Sequence, residues 1–136
     1  MPVESDAELR AILGLESIAV VGCSSTPGKD AYEIPHYMDQ RGYDVIPVNP
    51  HADEILGREA YDSLAEVPAG VDVVDVFRPS EEVGEIADEV LARTDVGVVW
   101  TQLGIRDDEA ARRIEASGRQ VVQDRCLKIA HQRLLA

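Results

Sequence analysis

Apolar positions in this chain follow two rhythms. Ile18-Ala19-Val20-Val21, Val45-Ile46, Val73-Val74, Val98-Val99-Trp100 and Val121-Val122 sit in short, nearly continuous, β-branched runs, the pattern of strands covered on both faces. Between the runs, apolar residues recur every three or four positions. Leu9, Ile12 and Leu13 share a face; so do Ile34, Tyr37 and Met38, and then Val83, Ile86, Ala87, Val90 and Leu91.

This pattern predicts a helix over 5–14, a strand over 17–21, a helix over 31–40, and strands over 43–50 and 71–77. A helix from Glu81, a strand over 96–101, a helix over 106–116, a strand over 119–124 and a helix over 127–135 complete it. Ser5-Asp6-Ala7-Glu8 is a capping box for the first helix, and Gly14 marks its end. Pro35 should end the first turn of its helix or kink it. Pro47 must fall near a strand end or at a bulge, because it cannot donate to a ladder. Residues 51–68 read as loop with one short helix near 63–67, and Ser80 as the cap of the helix that follows.

Strands alternating with helices imply right-handed βαβ units: a doubly wound, parallel five-stranded sheet with helices on both faces. The expected strand order is 3-2-1-4-5, with a crevice between the first and fourth strands. Residues just past the strand C-termini should line it: 22–29, 48–51, 77–79, 100–104 and 124–126.

The first of these segments carries the clearest chemistry. A buried strand stops at Gly22 and opens into Cys23-Ser24-Ser25-Thr26-Pro27-Gly28-Lys29 before a helix. Small residues let the backbone approach an anion, and a helix N-terminus stabilises it. Gly22 and Gly28 are six apart, matching neither G-x-G-x-x-G nor G-K-[ST]. The turn suits a nucleotide-like ligand without specifying which.

Composition narrows the classes. The 136 residues fit one domain (1–136), with no run of the roughly 20 apolar residues that span a bilayer. The acidic start, Met1 to Asp6, is unlike a signal peptide, so a soluble, cytoplasmic protein is expected. Asp and Glu number 26 against 13 Lys and Arg, a net charge of −13. This opposes nucleic acid and anionic membrane as partners. Lysine occurs only as Lys29 and Lys128, which favours the surface of a halophilic protein. Molar salt shortens the Debye length to about 3 Å and screens such self-repulsion.

Cys23 and Cys126 do not make a disulfide framework; one intervening strand should hold them about 9–10 Å apart. His36, His51 and His131 share no metal-ligand spacing, so no metal is expected. No paired Ser/His or Cys/His arrangement marks a catalytic residue.

Gly22-Cys23-Ser24-Ser25, Ile46-Pro47-Val48-Asn49-Pro50, Asp75-Val76-Phe77-Arg78-Pro79, Trp100-Thr101-Gln102-Leu103-Gly104 and Asp124-Arg125-Cys126 together resemble the single-domain CoA-binding proteins. That family is similar in fold to the CoA-binding domain of the succinyl-CoA synthetase α subunit. The resemblance runs from about Ser17 to Leu134 and implies a Rossmann-like domain holding coenzyme A, or an acyl-CoA, across the strand C-termini. Carried over, it implies that Ser24, Ser25, Thr26 and Pro27 meet the diphosphate, with Gly22 in the turn and Lys29 assisting. Asn49, Pro50 and His51 would border the nucleotide end. Phe77 and Arg78 would flank adenine and phosphates, and Trp100, Thr101 and Gln102 the pantetheine arm.

Alternatives stay open at single positions: a strand-end aromatic is often core packing, and Arg78 could pair with a carboxylate. The leading expectation is a non-catalytic CoA carrier, sensor or accessory subunit, partnered by a second copy or by an acyl-CoA enzyme. Two other classes compete. One is an NAD(P)-binding redox protein, against which the second strand ends in Val48-Asn49-Pro50 where an acid would hold ribose. The other is thiol/disulfide exchange between CoA and Cys23 or Cys126.

Overall fold

Ser17 and Asp72 tie two strands together at their beginnings. The Asp72 carboxylate accepts the N–H groups of Glu16 and Ser17, while Ser17 Oγ accepts the N–H of Asp72 at 2.8 Å and donates to Gly70 O. In this computed structural model, which describes Val3 and residues 5–135, that knot sets the sheet's central pair. Met1, Pro2 and Glu4, part of the acidic start, lie outside the described residues.

In chain order the elements are α1 (Asp6–Leu13), β1 (Ser17–Val21), α2 (Asp30–Gln40), β2 (Asp44–Val48), β3 (Glu54–Ile55), β4 (Arg58–Glu59), β5 (Val73–Val76), α3 (Val83–Leu91), β6 (Val98–Thr101), α4 (Asp108–Ala116), β7 (Gln120–Val122) and α5 (Leu127–Leu134). The five longer strands form one parallel sheet, and β3 and β4 form a separate two-stranded hairpin. One sheet face packs Ile18, Val20, Val73, Val98 and Trp100 against α1, α2 and α5; the other packs Ala19, Val74, Val76 and Val99 against α3 and α4. The doubly wound, Rossmann-like class expected from sequence is the class observed. No helix among the described residues is long and apolar enough to cross a membrane.

The strand order differs from 3-2-1-4-5. It is β2-β1-β5-β6-β7, so the third long strand pairs with the first and not with the second. Pro47 supplies the physical reason. Its carbonyl accepts the N–H of Tyr61 at 3.0 Å and Asn49 N–H donates to Tyr61 O at 2.8 Å, so the outward groups of β2 face a loop. The missing Pro47 N–H falls on that side, which an internal strand could not tolerate. The connection then crosses β1 on the opposite face. Arg93 holds it there, donating to Leu64 O, Val67 O and Pro68 O, while Asp95 accepts from Gly70 and Val71. The winding therefore reverses between β1 and β5, not between the first and fourth long strands. Two strands separate Cys23 from Cys126, about 14 Å at normal spacing, and both thiols are free.

Three local expectations also change. α2 runs through Pro35 without a break. Ser80 does not cap α3: it opens a short 3-10 turn, and its Oγ accepts the N–H of Arg106. Within the expected loop, Leu56 and Gly57 both take positive φ (57° and 73°) and close the β3–β4 hairpin.

Candidate functional site

The reversal of winding leaves an opening at the C-terminal ends of β1 and β5, and the turn 22–29 stands over it. Gly22 holds φ +89°, and a Cβ there would lie 2.8 Å from Arg78 Cδ and 3.3 Å from the Phe77 carbonyl carbon. Only glycine lets β1 leave the sheet this close to the end of β5. Asn49 ties the turn to β2: its Nδ2 donates to Cys23 O at 2.9 Å, and its Oδ1 accepts the N–H of His51.

Four N–H groups of the turn have internal partners. Ser24 donates to Ala31 O, Thr26 to Ser24 Oγ, Gly28 to the Glu33 carboxylate at 2.9 Å, and Lys29 to Thr26 O. Ser25 through Lys29 are exposed. Glu33 therefore occupies, from within the chain, one donor that an incoming anion would use.

Two clefts flank the turn. The first, about 310 Å³, lies on the α3 face beyond β2 and β1; Gly22, Asn49, Pro50, His51 and Arg78 line it, with Leu64 and Ile86 as apolar floor. Asp62, Glu82, Glu85 and Glu89 make its rim acidic. Arg78 is paired inside it, donating from Nε and Nη2 to the two Glu82 oxygens at 3.1 and 2.8 Å. That pairing raises the Arg78 pKa and lowers that of Glu82.

The second cleft, about 450 Å³, opens on the other face between α2 and α5, with Phe77, Gln102, Ile34, Ile105, Leu103, Ile129 and Cys126 in its walls. The Gln102 amide is held at both ends: Nε2 donates to Asp75 Oδ1 at 2.8 Å and Oε1 accepts the N–H of Leu127 at 3.4 Å. Asp75 is 1% exposed, and its Oδ2 has no hydrogen-bond partner. Burial pushes the Asp75 carboxyl up to about 7, against a smaller lowering by Gln102. Burial, helped by the charge of Asp75, pushes the nearby Cys23 thiol up to about 12.

Of the residues singled out from sequence, Gly22, Asn49, Pro50, His51 and Arg78 meet in the first cleft, and Phe77 and Gln102 in the second. Ser24, Ser25, Thr26, Pro27 and Lys29 line neither cleft; they form the turn that joins β1 to α2. Trp100 and Thr101 line neither cleft. The Trp100 ring is fully buried with its N–H on Arg125 O, and Thr101 Oγ1 donates to Ile105 O. Leu103 falls within the expected rim 100–104, whereas Ile34, Ile105 and Ile129 were not expected in a cleft, because an apolar residue on a helix or after a strand reads as core.

The sequence profile of a family described as a CoA binding domain matches residues 16–132. Uncharacterized protein YneT of Bacillus subtilis is 42% identical over 128 residues, covering 93% of this chain and 94% of that one. A solved structure from Thermus thermophilus, cell-free ID.343, superposes with a TM-score of 0.92 at 41% identity over 97% of this chain and 100% of that chain. Acetate–CoA ligase [ADP-forming] II of Archaeoglobus fulgidus is 32% identical over 74% of this chain, but the match spans 15% of that enzyme.

Proposed function

This chain belongs to the CoA-binding domain family, and on that premise we propose that it binds coenzyme A as a carrier, sensor or accessory subunit of acyl-CoA metabolism, without catalytic residues of its own. The observation that carries the reading is the small-residue turn 22–29 at the C-terminal sheet edge, with Gly22 in the lining of the first cleft and the second cleft beginning at Asp30, just past the turn. The diphosphate lies at Ser24 to Pro27 with Lys29 nearby. The nucleotide end enters the cleft of Asn49, Pro50 and His51, and the pantetheine arm runs past Phe77 toward Gln102. Arg78 reaches a phosphate by releasing Glu82, exchanging one paired anion for another of matching geometry. The ligase relatives are several times longer than the matched region, which supports a binding role over ligation.

Calorimetric titration with CoA, NAD and ATP in molar KCl tests the ligand class. CoA binds at least tenfold tighter than the other two, and Ser25→Glu abolishes binding with the fold intact, through steric block and charge repulsion. Absence of CoA binding by the wild-type chain rejects the reading; unchanged affinity in Ser25→Glu removes the turn from the site.

Thiol exchange is a second reading, favoured by the half-buried position of Cys126 in the wall of the second cleft.

A further inference from the structure

The cleft between α2 and α5 is wider and more apolar than its place in an acidic chain requires. Ile34, Phe77, Leu103, Ile105 and Ile129 line it. Leu103 is 69% exposed and Ile129 58%. Among the described residues the other exposed large apolar side chains, Leu135 and Leu15, are less open at 47% and 36%. Two of four thus converge on one concavity of about 450 Å³, a volume typical of a small-molecule site. Its most buried polar wall group, Gln102, already has partners for both ends of its amide, so the cleft makes little demand for polar atoms in an occupant.

We propose that this cleft receives the acyl group of an acyl-CoA, so that the ligand is a thioester with an aliphatic chain of several carbons and not free CoA. The inference rests on the coenzyme A reading above. Reach supports it: the pantetheine arm has about twelve chain bonds, roughly 14 Å when extended at the 3.3–3.6 Å that three backbone bonds span. Three strand spacings, from the turn after β1 to the end of β7, are also about 14 Å. The thioester therefore arrives beside Cys126, at the mouth of the cleft, and the chain beyond it turns inward between Ile34 and Ile129. Asp30 and Glu33 outnumber Lys128 among the charged residues of the lining, so the cleft offers little to an anionic headgroup and an uncharged chain is the fitting occupant.

Titration of the wild-type chain with CoA, acetyl-, butyryl-, hexanoyl- and octanoyl-CoA is the test. Affinity rises about threefold per added methylene through the first several carbons, slightly under the fourfold that complete burial gives. In the double variant L103S/I129S, whose fold is checked by its melting curve, the ratio of hexanoyl-CoA to CoA affinity falls toward one. CoA binding with a flat chain-length series overturns the inference and leaves the coenzyme A reading standing. A flat series with a wild-type dimer that L103S/I129S dissolves assigns the patch to a second copy and overturns it as well. Failure of every thioester and of CoA rejects the underlying reading itself.

Discussion

The backbone N–H of Ser24 donates to the carbonyl oxygen of Ala31 at 2.9 Å, reaching from the turn into the first turn of α2. In an uninterrupted helix that oxygen would accept from the residue four further on, which is Pro35 and has no N–H. The proline thus leaves α2 one unclaimed acceptor, and the turn after β1 uses it. An imperfection in the helix holds Ser24, the residue proposed to meet the diphosphate.

Pro35→Ala restores the competing donor. The amide of Ser24 then exchanges with deuterium roughly tenfold faster, as expected for loss of about 1.4 kcal/mol of protection. CoA affinity falls severalfold while the melting temperature holds or rises. An unchanged Ser24 exchange rate would show that the turn does not depend on this bond.

Gly22→Ala places a methyl group against Arg78 at a φ of +89°. The loss of stability is about 1–3 kcal/mol by denaturant titration, part left-handed backbone strain and part contact. Arg78→Ala relieves the contact but not the strain, so the effect of Gly22→Ala is smaller in that background. Equal losses in both backgrounds would mean that Arg78 moves aside freely.

Asp75 makes stability depend on pH in the direction opposite to an ion-paired carboxylate. Its ordinary value is 3.8 and its folded value about 7. Below about pH 4 both states hold the proton and there is no penalty. Between there and 7 only the unfolded chain loses it, so the Asp75 contribution falls as pH rises, by about 1.4 kcal/mol per unit, and is flat above 7. Asp75→Asn removes this decline: the variant gains on wild type by a few kcal/mol, about 2–4, between pH 5 and 8. Parallel stability curves for the two proteins would show that Asp75 ionises without penalty.

Cys126 forms a mixed disulfide with CoA. Its thiolate attacks one sulfur of CoA disulfide, the S–S bond breaks, and one CoA departs as the thiol, taking up the proton that Cys126 lost. Intact mass after incubation reads one added CoA in wild type and in Cys23→Ser, and none in Cys126→Ser. Cys23 does not substitute, since it is fully buried with its thiol pushed up to about 12. An adduct that survives Cys126→Ser would contradict the assignment.

Much of the fold was legible because its determinants are local. Ser5 caps the first helix as read, with Glu8 N–H on Ser5 Oγ, although Ser5 Oγ and not its backbone N–H donates to the Glu8 carboxylate. The apolar runs become strands because β-branched residues covered on both faces suit nothing else of that length. The hairpin at Leu56-Gly57 stayed hidden because leucine is not a usual residue for a positive φ; its side chain packs against the core and compensates.

By itself the sequence determined where the five long strands, the helices and the small-residue turn lie, and that the strand C-termini share one edge of the sheet. Those features follow from periodicity, caps and the parallel βαβ connection. Only the tertiary structure decided which strands are neighbours, because five runs buried on both faces carry nearly the same pattern. Pro47 held the clue, and its meaning depended on which side of β2 its missing N–H faces. The two clefts belong to the same category. Trp100 and Gln102 stand two residues apart at the end of β6, yet one packs wholly into the core while the other reaches the second cleft. That difference arises from how α2 and α5 meet over the sheet, a distance between elements that no local pattern encodes.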